Sequence, residues 1–309
     1  MDGTLLDDDK ELHDHFWPLV DALFERGIVF APASGRQYHT LYRRFGDVAD
    51  ELVYIAENGA YLVRGREEVG SDVLDDDVVR RIVLAVRALT DAGADLGAVV
   101  CGKRSAYIER TDPEFRAETD EYYASLAVVD DLLDRPQDEI LKVAVSDFGP
   151  AEQGTWPALS VFAGEVQVVL SGEHWVDVQN LGTNKGTALR RVQQALGITP
   201  AQTMVFGDFL NDLEMMDAAE YSFAMDNAHP LLLERARYLA PPNTENGVVR
   251  AISAVLGFPW RGCRTERRPS AGATRGNRGC PSVESRACGV CGPAARLAAR
   301  WLRPSRAMH

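Results

Sequence analysis

Short runs of β-branched and aromatic residues alternate along the chain with longer segments in which apolar residues recur at helical spacing. Buried strands are predicted at 27–31, 53–56, 203–206 and 221–224. Helices are predicted at 36–45, 185–196, 213–219 and 247–256, with a further one before residue 27 that Pro18 should begin or kink. Strands and helices that alternate in this way are typical of a parallel sheet covered by helices.

The pattern changes after about residue 66. A long amphipathic helix is predicted over 73–92, and its opening run of Asp75, Asp76 and Asp77 suits a helix N-terminus. Strands are predicted at 98–101, 105–108, 141–145, 166–169 and 175–178, with a second helix over 113–123. Such locally paired strands indicate a small α+β domain inserted into the first. The predicted division is a first core segment (1–65), an inserted cap (66–176), a second core segment (177–260) and a tail (261–309).

Charge is divided unevenly between the body and the tail. The chain of 309 residues has a formal net charge of −13, yet residues 261–309 contain 11 arginines and two glutamates and carry +9. Residues 1–260 therefore carry −22, and so acidic a body argues against nucleic acid as a partner. The tail lacks hydrophobic periodicity, and we interpret it as a disordered basic segment. Zinc is the alternative for its cysteines, disfavoured by the irregular spacing of Cys263, Cys280, Cys288 and Cys291.

The sequence also predicts a compartment. No window approaches the roughly 20 continuous apolar residues of a membrane-spanning helix, so no membrane partner is expected. The N-terminus reads Met-Asp-Gly-Thr, without the basic segment and apolar core of a secretory signal. Cys101 is the single cysteine of residues 1–260, which excludes a disulfide framework for the body. We therefore expect a cytoplasmic protein.

Four polar segments, far apart in the sequence, carry the candidate chemistry. They are 1–6 with Asp2, 33–36 with Ser34 and Gly35, 184–186 with Lys185, and 207–212 with Asp208, Asn211 and Asp212. Three of them fall where a strand ends and a helix begins, and in an open α/β sheet those strand ends line the ligand crevice. Each segment alone has an ordinary explanation as a turn, a cap or a solvated lysine. Three polar side chains directly after an apolar strand have no packing use, so the combination favours an active site.

Together these segments resemble the haloacid dehalogenase superfamily of phosphatases. The resemblance is closer to its Cof-type branch with a large α/β cap (type IIB), and it extends to bacterial sugar phosphatases of that branch. Further similar stretches lie at 56–60, 223–228 and 246–248, so the resemblance covers nearly all of 1–256. It implies a Rossmann-like parallel-sheet core with an inserted α+β cap. It also implies Mg²⁺-dependent hydrolysis of small phosphorylated sugars through an aspartyl-phosphate.

The resemblance also implies a role for each matched residue. Asp2 would be the second carboxylate of the family's Asp-x-Asp pair, which protonates the leaving oxygen and then activates water. Its backbone carbonyl would face Mg²⁺, and Asp208 would supply a carboxylate ligand. Asp212 would hold metal-bound water or orient Lys185, with Asn211 assisting.

The phosphoryl group has its own implied partners. Ser34 and the backbone N–H of Gly35 would donate to phosphoryl oxygens, and Lys185 would neutralise their charge. The inserted cap would close over the site and select the leaving group. Its polar candidates for contact with a sugar are Lys103, Arg104, Ser171, Gly172, His174 and Asp177.

One position of the family pattern precedes the first residue. Met1 occupies the middle of Asp-x-Asp, so the nucleophile would be the residue before Met1, carried by an apolar strand. We expect a chain without that residue to be inactive and poorly stable. Of two explanations, an internal methionine taken as the start is favoured over a non-catalytic binder of phosphorylated ligands, because Ser34, Lys185, Asp208 and Asp212 are all present. A regulatory sugar-phosphate sensor and a phosphomutase-type phosphotransferase remain alternatives. The expected partner is a small phosphorylated metabolite, with a monomer and a homodimer both left open.

Overall fold

The computed structural model describes residues 1–258. The predicted disordered tail, with its possible zinc-binding cysteines, lies outside the described residues. Within residues 1–258 no helix is both long enough and apolar enough to cross a membrane. The architecture is mixed α/β with parallel strands in its core, as the sequence predicts.

Helices and strands follow one another through the described chain. The helices are α1 (Phe16–Glu25), α2 (Tyr38–Phe45), α3 (Asp76–Asp91), α4 (Pro113–Tyr122), α5 (Thr155–Leu159), α6 (Lys185–Leu196), α7 (Leu213–Met216), α8 (Pro230–Arg235) and α9 (Gly247–Leu256). The strands are β1 (Val53–Ala56), β2 (Tyr61–Arg64), β3 (Glu67–Ser71), β4 (Leu96–Gly102), β5 (Ala106–Ile108), β6 (Leu126–Val128), β7 (Ile140–Asp147), β8 (Val166–Leu170), β9 (Trp175–Asn180), β10 (Met204–Gly207), β11 (Tyr221–Met225) and β12 (Tyr238–Ala240).

Three hydrophobic clusters divide these elements into two parts, with one cluster in the first part and two in the second. The first, here called the core, is built from residues 5–63 and 188–252; it contains the parallel sheet β10–β11–β12 and the antiparallel sheet β1–β2–β3. The second, here called the cap, contains a six-stranded sheet in the order β6–β5–β4–β7–β9–β8. Because β9 pairs with both β7 and β8, the cap sheet runs to Asn180, four residues past the predicted end at 176.

The sequence prediction was wrong for the strand at 27–31. This segment carries no strand, and its Val29 is 44% exposed. The adjoining backbone is still held on one side, where Val53 N–H donates to Phe30 O and Ile55 N–H donates to Pro32 O. On its other side an apolar cavity of about 510 Å³ separates it from β10. A β-branched run forms a strand only when a neighbour completes its ladder, and the described residues supply that neighbour on one side alone.

The hairpin β2–β3 was missed by the hydrophobic pattern. Its second strand reads Glu-Glu-Val-Gly-Ser and lies on an edge, with three of its five residues exposed. An edge strand needs no apolar alternation, so periodicity gives no signal for it. This hairpin leads the chain out of the core and into the cap.

Candidate active site

A cavity of about 520 Å³ lies between the core and the cap, and the four polar segments meet there. From the core it is lined by Asp2, Ser34, Gly35, Lys185, Asp208, Asn211 and Asp212. From the cap it is lined by Ser171, Gly172, His174 and Asp177. The segments converge because strands β1 and β10 end beside this cavity and helix α6 begins there.

Lys185 is placed by the start of α6. The side chain of Asn184 accepts the N–H of Thr187 at 2.8 Å, and the two residues form a capping box that fixes the first turn. Gly186 follows because an added Cβ would collide with the backbone carbonyl of Glu214. The ammonium of Lys185 donates to Asp212 Oδ1 at 2.7 Å, and both side chains are at most 5% exposed. The cation therefore stands at the cavity wall in a fixed position.

The loop of Ser34 to Arg36 is shaped by its own hydrogen bonds. Asn58 N–H donates to the carbonyl of Ser34 at 2.9 Å, and Arg36 N–H donates to Ser34 Oγ at 3.1 Å. Gly35 lines the cavity, and its N–H has no acceptor among residues 1–258. A serine hydroxyl and a backbone N–H with no internal acceptor form a small site for an anion.

Asp2 is held by two cations that the sequence analysis did not assign a role. Arg36 donates to both of its carboxylate oxygens, from Nε at 2.9 Å and from Nη2 at 2.6 Å, and Lys10 Nζ lies 3.3 Å away. Burial alone would raise the pKa of Asp2, but the hydrogen bonds and charge of Arg36 outweigh it and hold the pKa well below its usual range. The Arg36 guanidinium also stacks on the Tyr122 ring at 4.8 Å. Asp2 is therefore a carboxylate in this arrangement.

Asp208 differs from the other two core carboxylates, because no side-chain cation of residues 1–258 is bonded to it. The hydroxyl of Thr4 donates to its Oδ1, and Gly3 leaves space beside it, with a φ of 64° and no Cβ to meet the carboxylate. Burial and the neighbouring charge of Asp212 raise its pKa. A half-buried carboxylate without a bonded side-chain cation is a suitable oxygen ligand for a hard divalent cation. Among residues 1–258 no group of three His, Cys, Asp or Glu side chains is arranged to hold a metal ion. Mg²⁺, which keeps several waters and takes one or two carboxylates, does not require such a group.

The cap contributes a polar loop and an aromatic wall. Ser171, Gly172 and His174 lie on the turn between β8 and β9, and His174 Nδ1 lies 3.0 Å from the carbonyl of Gly149 and 3.1 Å from that of Asp147. These carbonyls, Gly149 first, raise the pKa of His174. The rings of Tyr122 and Trp175 meet edge to face at 5.7 Å on the same cavity.

Two of the cap candidates do not line the cavity, and the carboxylate of a third already accepts a hydrogen bond from the core. Lys103 is paired with Glu68 at 2.9 Å and Glu139 at 3.0 Å, and Arg104 is exposed on the β4–β5 turn; neither lines the cavity. The β4–β5 turn and the His174 turn lie at opposite ends of the paired strands of the cap sheet. The order of residues along the sequence does not reveal this separation. Asp177 lines the cavity but is 3% exposed and accepts from Asn58 Nδ2 at 2.5 Å.

Sequence reasoning missed several charged residues that line the cavity, and Lys142 and Arg36 are the two most deeply buried of them. Arg36 stands within the matched Ser-Gly-Arg segment, and Lys142 interrupts the apolar run of β7. A lone lysine inside an otherwise apolar central strand was the available signal.

Comparison with known proteins gives a consistent family. A model of haloacid dehalogenase-like hydrolases matches residues 1–252. The 5-amino-6-(5-phospho-D-ribitylamino)uracil phosphatase YbjI of Escherichia coli (strain K12) is 32% identical over 259 residues, covering 83% of this chain and 94% of that protein. The structure of SMU.1108c from Streptococcus mutans UA159 superposes with a TM-score of 0.76 at 24% identity, covering 83% of this chain and 97% of the other. A subclass IIB sugar phosphatase of the superfamily, BT4131, superposes with a TM-score of 0.70 at 18% identity, with 83% and 96% covered.

Proposed function

The chain belongs to the haloacid dehalogenase-like hydrolase family, and from this premise we propose that its cavity is the site of a phosphatase acting on small phosphorylated metabolites. One observation carries the proposal. A buried lysine, a serine hydroxyl, a glycine N–H without an acceptor among residues 1–258 and a half-buried carboxylate converge on one cavity from three separate segments. These groups supply the donors and the cation ligand that phosphoryl transfer requires.

The phosphoryl group would bind at the core end of the cavity. Ser34 Oγ and Gly35 N–H would donate to its oxygens, and Lys185 would neutralise their charge. The contact of Lys185 with Asp212 keeps the ammonium from rotating away, so little reorganisation is needed on binding. The acidic body does not attract anions, so affinity must arise from these local donors.

Mg²⁺ would be held by Asp208 and the backbone carbonyl of Asp2, with Asp212 bonding a metal-coordinated water. When bound, the ion would supply positive charge that offsets the charge developing on the phosphoryl oxygens. Asp208 fits this assignment because, of the three core aspartates of the site, Asp2 and Asp212 are each bonded to a side-chain cation of residues 1–258 and Asp208 is not.

Asp2 would donate a proton to the leaving oxygen and accept one from the attacking water. Its ion pair with Arg36 keeps it ionised, which suits a base that accepts a proton from the attacking water. To protonate the leaving oxygen first, it must lose part of that pairing. Because Arg36 also stacks on Tyr122 of α4, a shift of the cap is the movement available for this change.

The leaving group would lie at the cap end of the cavity. Tyr122 and Trp175 offer ring faces, and Ser171 and His174 offer polar contacts. This combination suits a polyhydroxylated carbon chain, as in a sugar phosphate or the phosphoribityl group acted on by the Escherichia coli relative. We place the sugar or sugar-alcohol phosphate monoesters first among candidate substrates.

On the family's Asp-x-Asp pattern the nucleophile would stand directly before Met1, and the deciding experiment places an aspartate there. Two variants of the chain, extended by the same short apolar segment ending in Asp or in Asn, are assayed with Mg²⁺ against an aryl phosphate and a panel of sugar phosphates. We expect hydrolysis by the Asp form and at least a thousandfold less by the Asn form. If both forms bind phosphate but neither hydrolyses any ester, the non-catalytic sensor replaces the phosphatase. Transfer to a sugar hydroxyl in place of water would identify a phosphotransferase.

A further inference from the structure

Lys142 is a buried charge that the proposed chemistry does not use. It lies on β7, the third strand from one edge of the cap sheet and fourth from the other, and its side chain is 3% exposed. Its Nζ donates to the carbonyl of Gly35 in the core at 2.7 Å and lies 3.1 Å from Glu57 Oε2, also in the core. Asp177 Oδ2, on the neighbouring cap strand β9, lies 3.3 Å away. One ammonium thus joins three parts of the molecule. They are the loop of Ser34 to Arg36, here called the anion-binding loop, the segment after β1, and the cap sheet.

The cluster is costly to bury, which argues against a purely stabilising role. Two carboxylates and one ammonium carry a formal net charge of −1, and neither oxygen of Glu57 has an aligned hydrogen-bond donor among residues 1–258. Burial raises the pKa of Glu57 in spite of the lysine beside it. Apolar side chains of similar volume commonly stabilise a fold as well as a buried ion cluster does. The backbone adds strain, since Glu57 and Asn58 both have a positive φ, of 50° and 54°.

What the cluster does provide is a direct link from the cap to the anion-binding loop. Within the core, the carbonyl of Ser34 accepts from Asn58 N–H and the Ser34 hydroxyl accepts from Arg36 N–H. The carbonyl of Gly35, between them, takes its hydrogen bond from Lys142 of the cap. The orientation of the Gly35–Arg36 peptide therefore depends on where the cap stands.

A second contact runs in parallel through Asn58. Its Nδ2 donates to Asp177 of the cap at 2.5 Å, and its Oδ1 accepts from Asn211 at 3.1 Å. Asn211 belongs to the loop that carries Asp208. The cap thus reaches the loop proposed to bind phosphate directly, through Lys142 and Gly35, and the loop proposed to bind the cation indirectly, through Asp177 and Asn58.

We propose that Lys142 is a positioning residue that couples docking of the cap to phosphate binding. With the cap docked, its ammonium holds the Gly35 carbonyl and so fixes the loop whose Ser34 and Gly35 donors meet the phosphoryl oxygens. By thermodynamic linkage, phosphate bound to that loop stabilises the docked cap. The inference rests on the proposed function in one respect, that phosphate binds at Ser34 and Gly35.

The test uses the 309-residue chain, inorganic phosphate and Mg²⁺, and needs no turnover. The decisive variant is K142M/E57Q, which removes the link yet keeps the cluster's formal charge at −1. E57Q alone retains Lys142. K103M/E68Q is the matched control, because Lys103 is also a cap lysine between two carboxylates but does not line the cavity. Calorimetry should give at least a tenfold weaker phosphate affinity for K142M/E57Q, and affinities within threefold of the wild type for the other two.

Hydrogen exchange supplies a readout that a merely structural lysine would not change. In the wild type, phosphate should slow amide exchange in β7 and β9 of the cap as well as in the Ser34 loop. In K142M/E57Q the protection of the cap strands should disappear while any remaining binding still protects the core loop. Equal affinities in all four chains, or no phosphate-dependent protection of β7 in the wild type, would overturn the role of Lys142. A wild type that binds no phosphate would overturn the proposed function itself.

Discussion

Replacing Asp212 by asparagine tests whether the Lys185–Asp212 pair supports the fold as well as the site. The two side chains are 4% and 5% exposed, and their charged atoms are 2.7 Å apart. Asparagine keeps the size of the side chain and can still accept the N–H of Asp208, so the change removes mainly the negative charge. Lys185 is then left as a buried cation with weaker compensation.

Breaking a buried ion pair from one side costs about 3–5 kcal/mol. Asp208 lies close enough to attract Lys185, so we expect the lower end, about 3 kcal/mol. For a chain of this size that corresponds to a fall in melting temperature of roughly 6–12 °C. The measurement is urea and thermal unfolding at pH 7, followed by far-ultraviolet circular dichroism.

Two further variants identify the cause of the loss. D217N removes one partner of the exposed Arg235–Asp217 pair, whose side chains are 56% and 40% exposed, and should change stability by no more than about 0.5 kcal/mol. K185M/D212N removes both charges and should recover much of the stability, since no unpaired buried charge remains. The reasoning is refuted if D212N unfolds within about 1 kcal/mol of the wild type, or if the double variant is less stable than D212N.

Two other predictions concern titratable groups of the cap. The carbonyls of Gly149 and Asp147 raise the pKa of His174 above its ordinary 6.5, so its positive charge is fully present below that pH and is lost as pH rises through the raised value. The ratio of sugar-phosphate affinities of wild type and H174Q, measured by calorimetry, should therefore be greatest near pH 5.5 and approach one near pH 8.5; a ratio independent of pH would contradict this. Cys101 is fully buried and burial raises the pKa of its thiol, so N-ethylmaleimide should not label it in the folded chain but should label it fully in guanidinium. Peptide mapping by mass spectrometry separates it from the tail cysteines, and native labelling of the Cys101 peptide would show that the cap core opens.

The sequence by itself determined the helices and strands for which hydrophobic periodicity and capping residues indicate the same bounds. Helices at 185–196 and 247–256 and the strand at 53–56 have the bounds that periodicity and capping residues predict, because Asn184, Gly197 and Gly257 mark helix ends locally. The four polar segments were also visible, since three of them fall where a predicted strand ends and a helix begins, and polar residues at such places have no packing explanation.

Only the tertiary structure decided which of these residues touch. The segment at 27–31 has a strand's composition, but residues 1–258 supply no second neighbour to complete its ladder. Lys103 and Lys142 are both single lysines of the cap and each pairs with a carboxylate of the core, yet of the two only Lys142 contacts the Gly35 loop, because β7 stands inside the sheet over that loop while Lys103 sits on a turn. Periodicity records which face of an element is apolar; it does not record which element lies opposite. Contacts between residues more than a hundred positions apart, such as Gly35 with Lys142, depend on how the core and the cap dock.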